Sequence, residues 1–131
     1  MENLEDIFEE IKNILVKYSE KFLQTEKYLG SQAKQQKPGF HLYGSIEVSL
    51  FGKKPQKTYI AGVIQQKNFV SFYLSAVYSH PEIFKDISPD LKKVLKGKSC
   101  FNISKATPQL FDEIEIVLKK GIEKYKEIEW I

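Results

Sequence analysis

The stretch Phe40-His41-Leu42-Tyr43-Gly44-Ser45-Ile46-Glu47-Val48-Ser49-Leu50 decides the fold. Phe40, Leu42, Ile46, Val48 and Leu50 fall on one parity. His41, Tyr43, Ser45, Glu47 and Ser49 fall on the other. That alternation predicts a half-buried strand with one wetter face. After it, residues 52–57 read as a connection, Thr58 to Ile64 as a second strand, Gln65 to Asn68 as a short polar turn, and Phe69 to Leu74 as a third strand. The second and third are apolar on both parities, which suits central strands covered on both faces. Connections this short predict antiparallel neighbours.

Upstream, Leu4, Ile7, Phe8, Ile11, Ile14, Leu15, Tyr18, Phe22 and Leu23 recur at three- and four-residue spacing, which predicts a helix. Asn3 suits its N-cap, the acids after Asn3 suit the positive end of the helix, and Gly30 stops it or closes the turn after it. Residues 31–38 are polar and aperiodic and read as a loop.

Downstream, His80-Pro81 breaks the third strand, and residues 81–86 suit one helical turn. Ser88-Pro89-Asp90 is a cap followed by proline at the first helical position, Leu91, Val94 and Leu95 form an apolar stripe, and Gly97 suits C′. Lys98 to Ser104 alternates as a fourth strand, with Phe101 and Ile103 on one parity and Cys100 on the other. Thr107-Pro108 opens a final helix that buries Leu110, Phe111, Ile114, Val117, Leu118, Ile122 and Tyr125. At the end, Ile128, Trp130 and Ile131 either cover the core or seat a second subunit, so the chain is read as a monomer or a homodimer. The pattern is α+β in the order α-β-β-β-α-β-α: a mostly antiparallel sheet of about four to five strands, packed by N-terminal and C-terminal helices. Residues 1–131 form a single domain.

Composition fits a globular chain: 42% hydrophobic, 13% aromatic and 28% charged. There is no basic n-region with an apolar h-region and no bilayer-length apolar run, and one cysteine allows no internal disulfide, so the expectation is a cytoplasmic protein off the membrane. The charge is uneven. Residues 1–30 carry net −3, residues 31–111 net +8 and residues 112–131 net −2. All 20 basic residues are lysine, which offers point charges and not the planar fork that reads guanine. Sequence-specific nucleic-acid binding is therefore not expected, although lysines interleave with aromatics through the basic middle.

No catalytic constellation is recognisable. Cys100 is the only thiol, His41 and His80 are the only imidazoles, and nothing in their spacing pairs them. There is no phosphate-binding glycine loop and no zinc-type spacing. Glu2, Glu5, Asp6, Glu9 and Glu10 cluster on the first helix, where carboxylates in a row hold hard cations weakly. The wetter strand face carries His41, Tyr43, Ser45, Glu47 and Ser49, and Tyr59, Tyr73, Tyr78 and His80 add hydroxyl and imidazole groups. Aromatics with a few polar tips are what small-molecule sites use.

Lys67-Asn68-Phe69-Val70-Ser71-Phe72-Tyr73-Leu74, then Tyr78 and Pro81, then Ile87-Ser88-Pro89-Asp90-Leu91-Lys92, then Lys96-Gly97-Lys98-Ser99-Cys100-Phe101-Asn102, resembles the YdhG-like domain-of-unknown-function family. The resemblance covers about residues 40–125. It implies a frataxin-like α+β fold and no established enzyme activity. Some members are linked to intracellular iron delivery, and the acids at positions 2, 5, 6, 9 and 10 match a frataxin-type first helix in residue type. The first strand carries only Glu47, and Lys53, Lys54 and Lys57 follow it where the frataxin pattern places acids.

The expectation is a non-enzymatic binding module for a small molecule or a protein partner, with no cofactor. The ligand-binding candidates are His41, Tyr43, Tyr59, Tyr73, Tyr78, His80, Lys98 and Ser99. The alternative is weak Fe²⁺ binding on the first helix, in a frataxin-like iron-delivery protein.

Overall fold

Capping residues and apolar periodicity place most of the elements. The computed structural model describes residues 3–29, 37–50 and 52–131. In chain order these hold α1 (Leu4–Lys17), β1 (Leu23–Thr25), β2 (Gly39–Val48), β3 (Gln56–Gln65), β4 (Val70–Leu74), α2 (Ser75–Ser79), a 3-10 turn (Pro81–Phe84), α3 (Pro89–Val94), β5 (Leu95–Lys96), β6 (Cys100–Ile103) and α4 (Pro108–Glu127). Asn3 accepts the Glu5 N–H at 2.8 Å and starts α1. Ser88 and Thr107 accept from Leu91 N–H and Leu110 N–H and start α3 and α4, each with proline in the first turn.

The first helix is shorter than its apolar spacing predicts. It ends at Lys17, where Tyr18 N–H turns back to the Leu15 carbonyl and the Ser19 hydroxyl takes the Val16 carbonyl at 2.7 Å. That local bond competes with the next helical turn. Leu23, read as helical, instead starts β1 and pairs with Tyr43. Gly30 and residues 31–36 lie outside the described residues.

The sheet has six strands in the order β1-β2-β3-β4-β6-β5. Every neighbouring pair is antiparallel. The two strands that the sequence does not announce, β1 and β5, are edge pieces of three and two residues, too short to carry a period. Leu95 sits in β5 and not in the stripe of α3. Gly97 (φ +65°) makes the β5–β6 turn and does not terminate a helix. Leu74 leads straight into α2, a short helix ahead of His80-Pro81.

Register decides which face is core. Phe40 lies opposite Val63, Val63 opposite Phe72, and Phe72 opposite Phe101, so all four point the same way. On that side Ile7, Ile11 and Leu15 of α1 and Ile114, Leu118 and Ile122 of α4 join them in one buried cluster, with Ala76 of α2 and Leu91 of α3. Glu115 of α4 ties the two long helices together, accepting from Lys17 Nζ at 2.8 Å and Tyr18 Oη at 2.5 Å. Trp130 and Ile131 also pack against the cluster, so the chain end covers the core. Among the described residues, no helix is long and apolar enough to cross a membrane.

The alternation in β2 does not survive along its length. Register shifts fall between Leu42 and Tyr43 and between Tyr43 and Glu47. His41 and Tyr43, read as the wetter parity, are buried, whereas Ile46 is 44% exposed. Such irregularities twist a strand and re-aim its side chains.

The end of α4 is a Schellman-type cap. Trp130 N–H reaches the Tyr125 carbonyl at 2.8 Å, Glu129 N–H reaches the Lys126 carbonyl at 3.1 Å, and Glu129 sits at φ +62°. A glutamate in left-handed backbone is strained, whereas glycine is not. Glu129→Gly is expected to raise the unfolding free energy by about 0.5–1 kcal/mol, the relief of strain exceeding the added chain entropy. Urea denaturation checks this, and an unchanged or lower midpoint contradicts it.

Candidate functional site

All helices donate their buried side chains to one face of the sheet, and the other face is free of helices among the described residues. Cross-strand register arranges side chains in rows on that free face. One row crosses all six strands: Thr25 faces His41, His41 faces Gly62, Gly62 faces Tyr73, Tyr73 faces Cys100, and Cys100 faces Lys96. Leu23, Tyr43 and Tyr59 form the row on one side of it. Ile64, Ser71 and Asn102 form the row on the other. These rows contain no carboxylate, and Lys96 is the one lysine in them.

Three of the sequence candidates meet here. Tyr59 Oη lies 2.8 Å from His41 Nδ1. The phenol reaches that position because Gly62 has no side chain: a Cβ there would overlap both Tyr59 Oη and His41 Nδ1. Tyr43 packs edge-on against Tyr59 with ring centroids 5.1 Å apart, and Tyr28 packs edge-on at 5.4 Å. Tyr28 also meets the His41 ring, at 5.9 Å. Leu29 N–H donates to Tyr43 Oη at 2.7 Å, so the segment after β1 folds over this cluster.

Burial sets the protonation of the cluster. It lowers the His41 imidazole to about 4, so the ring is neutral at physiological pH. It also pushes Tyr59 well above the usual phenol range, and the nearby Tyr43, Tyr28 and Tyr73 phenols and the Cys100 thiol add to that shift. Tyr43 is raised as well, mainly by burial.

Tyr73 sits beside this cluster. Its hydroxyl interacts with Ser71, Cys100 and Gln66, and burial followed by the Cys100 thiol raises its pKa. Ser71 is 1% exposed, between Ile64 and Asn102 on the neighbouring strands and next to Tyr73 along its own. Ser71 Oγ and Cys100 Sγ both donate to Asn102 Oδ1, at 3.0 and 3.2 Å. Two donors on one oxygen fix the amide orientation and direct its NH₂ away from them. Ser71, Asn102 and Gly62 were not among the sequence candidates. The signal was present: Ser71 shares parity with Tyr73, Asn102 shares parity with Cys100, and an isolated glycine inside a strand marks a close approach.

The other candidates stand elsewhere. His80 belongs to a hydroxyl chain between α2 and α4. Ser75 Oγ donates to the Tyr59 carbonyl at 2.5 Å, and Tyr125 Oη lies 2.8 Å from both Ser75 Oγ and Ser79 Oγ. Since the Ser75 hydrogen goes to the carbonyl, Tyr125 donates to Ser75. Ser79 Oγ lies 3.4 Å from the Ser75 carbonyl and 2.9 Å from His80 Nδ1. The His80 ring packs against Trp130 with centroids 5.2 Å apart. Lys98 Nζ sits 5.2 Å from the centroid of the exposed Tyr78 ring. Ser99 enters through its backbone, accepting from Leu74 N–H at 3.0 Å.

Cys100 has Asn102 beside it and not an imidazole; β4 and β3 separate it from His41 in the row. Burial pushes its thiol up, with Ser71 and Tyr73 opposing in part. A raised thiol is the reverse of an activated nucleophile. Iodoacetamide at about pH 8 is expected to alkylate folded Cys100 at least about tenfold more slowly than the urea-unfolded chain. Equal rates, read by intact mass, contradict this.

Of the acids on the first helix, Glu2 lies outside the described residues. Glu5, Asp6, Glu9 and Glu10 are exposed along α1. Among the described residues, no group of three or more His, Cys, Asp or Glu side chains is placed to hold a metal ion. Comparison with protein-family models, curated proteins and solved structures finds no match for this chain.

Proposed function

We propose that this protein is a cytoplasmic, non-enzymatic binding module of YdhG-like type, and that it takes a small molecule or a protein partner on the helix-free face of the sheet. The observation that carries this reading is the row Thr25-His41-Gly62-Tyr73-Cys100-Lys96 with its flanking tyrosines: aromatic rings and hydrogen-bonding tips gathered on a face that no helix among the described residues uses. Such a surface offers contact area and orientation with few charges. The thiol donates to Asn102 and its pKa is raised by burial, which supports recognition over nucleophilic chemistry.

Native mass spectrometry of freshly purified, untagged protein tests the proposal, with and without Fe²⁺ under anaerobic conditions. A retained small molecule, or a defined complex disrupted by Tyr73→Ala, supports it. Iron adducts abolished by charge reversal of Glu5, Asp6, Glu9 and Glu10 would instead favour an iron-delivery role.

A further inference from the structure

We infer that the patch formed by Tyr73, Asn102 and Lys96 is the seat of a flat aromatic anion. The inference rests on the sheet-face reading above and names its ligand class.

Shape points to a flat ligand. Tyr73 is half-buried in the central row of the sheet, with side-chain-free Gly62 on one side and the small Cys100 on the other, which leaves its ring a place to receive a flat partner. A planar ring seats on such a platform with little loss of side-chain freedom, since a tyrosine has only two torsions to hold.

Hydrogen bonding points to an acceptor on that ligand. The two hydrogen bonds of the Asn102 side chain both run to Oδ1, which leaves its NH₂ available on the face. Asn102 is therefore a preset donor, one strand away from Tyr73.

Charge points to an anion. Lys96 stands opposite Cys100 and is exposed. No Asp or Glu occupies the three rows, and among the described residues Lys96 forms no ion pair. Positive charge beside a low-polarity ring surface, with no acid to neutralise it, complements a carboxylate, sulfonate or phosphate carried on an aromatic ring.

Amide chemical-shift mapping of the ¹⁵N-labelled full chain, with 2-naphthoate as probe, tests this. The uncharged 2-naphthamide and the non-aromatic cyclohexanecarboxylate serve as comparisons. Saturable shifts are expected at Ser71, Tyr73, Lys96, Cys100 and Asn102 with 2-naphthoate. Each comparison compound should bind at least about fivefold more weakly. Lys96→Gln, a change on an exposed edge strand, should weaken 2-naphthoate about three- to fivefold, and Asn102→Asp about tenfold.

Equal affinity for 2-naphthamide, or no effect of Lys96→Gln, overturns the anion and leaves the sheet face standing. Equal affinity for cyclohexanecarboxylate overturns the aromatic platform in the same way. If neither aromatic compound shifts any residue of this face, the flat aromatic anion is overturned, while the sheet-face reading is decided separately by native mass spectrometry.

Discussion

Gly62→Ala is expected to lower the unfolding free energy by about 3 kcal/mol. The added Cβ would occupy the space now held by Tyr59 Oη and His41 Nδ1. A phenol can swing, but this one is held by the 2.8 Å contact to His41 and by ring contacts to Tyr43 and Tyr28. Expelling it gives up about 1 kcal/mol for the hydrogen bond and about 1.5–2 kcal/mol for the ring burial and edge-on contacts. Tyr59→Phe, which removes only the hydroxyl, should cost about 1 kcal/mol. Combined with Gly62→Ala it should cost less than the sum of the two, because both act on the same contact. Urea denaturation followed by tyrosine and tryptophan fluorescence gives all three values. A cost below about 1 kcal/mol for Gly62→Ala would mean that the niche is loose and that Tyr59 is not locked.

Acid should destabilise the protein through His41. In the unfolded chain the imidazole takes a proton near pH 6.5, and in the folded protein near about 4. Between those values the unfolded state binds more protons than the folded state, so stability rises with pH across the window and is lost as pH falls through it. The loss attributable to this residue is about 2–3 kcal/mol by about pH 4, and it is absent above about pH 7. Other groups titrate in the same range, so the comparison that isolates His41 is with His41→Asn. Asparagine offers a polar atom near the position of Nδ1, and it does not ionise. The stability difference between wild type and variant should shrink or reverse as pH drops from about 7 to about 4. Parallel stability curves over that range would show that His41 is protonated as easily folded as unfolded.

The α+β class, the antiparallel pairing, the three capped helices and the buried positions of the last helix were all legible in the sequence. Each follows from a local signal: alternation or full apolarity for strands, and cap-plus-proline for α3 and α4. The rest depended on contacts between segments. The spacing of Phe22 and Leu23 continues the helical period, yet the chain turns at Ser19 and gives Leu23 to the sheet edge. Strands as short as β1 and β5 exist only because longer neighbours template them.

The site shows the same division. His41, Tyr43 and Tyr59 were recognisable as aromatic and imidazole groups on nearby strands. Their meeting required the register shift at Leu42/Tyr43 and the gap at Gly62, which a count of parity does not contain. Tyr78, His80 and Lys98 have the same residue types but diverge into other networks once the chain leaves β4. Ser71 and Asn102 look like ordinary polar strand residues until pairing sets them opposite one another beside Tyr73 and Cys100.

The central claim is that recognition uses the helix-free face. Its most direct test is amide chemical-shift mapping of the full chain against a broad set of uncharged and charged fragments. Responses should concentrate on His41, Tyr59, Gly62, Ser71, Tyr73, Cys100 and Asn102, across four adjacent strands. Responses that instead collect on α1 and α4, or no response anywhere on the sheet face, would contradict the account.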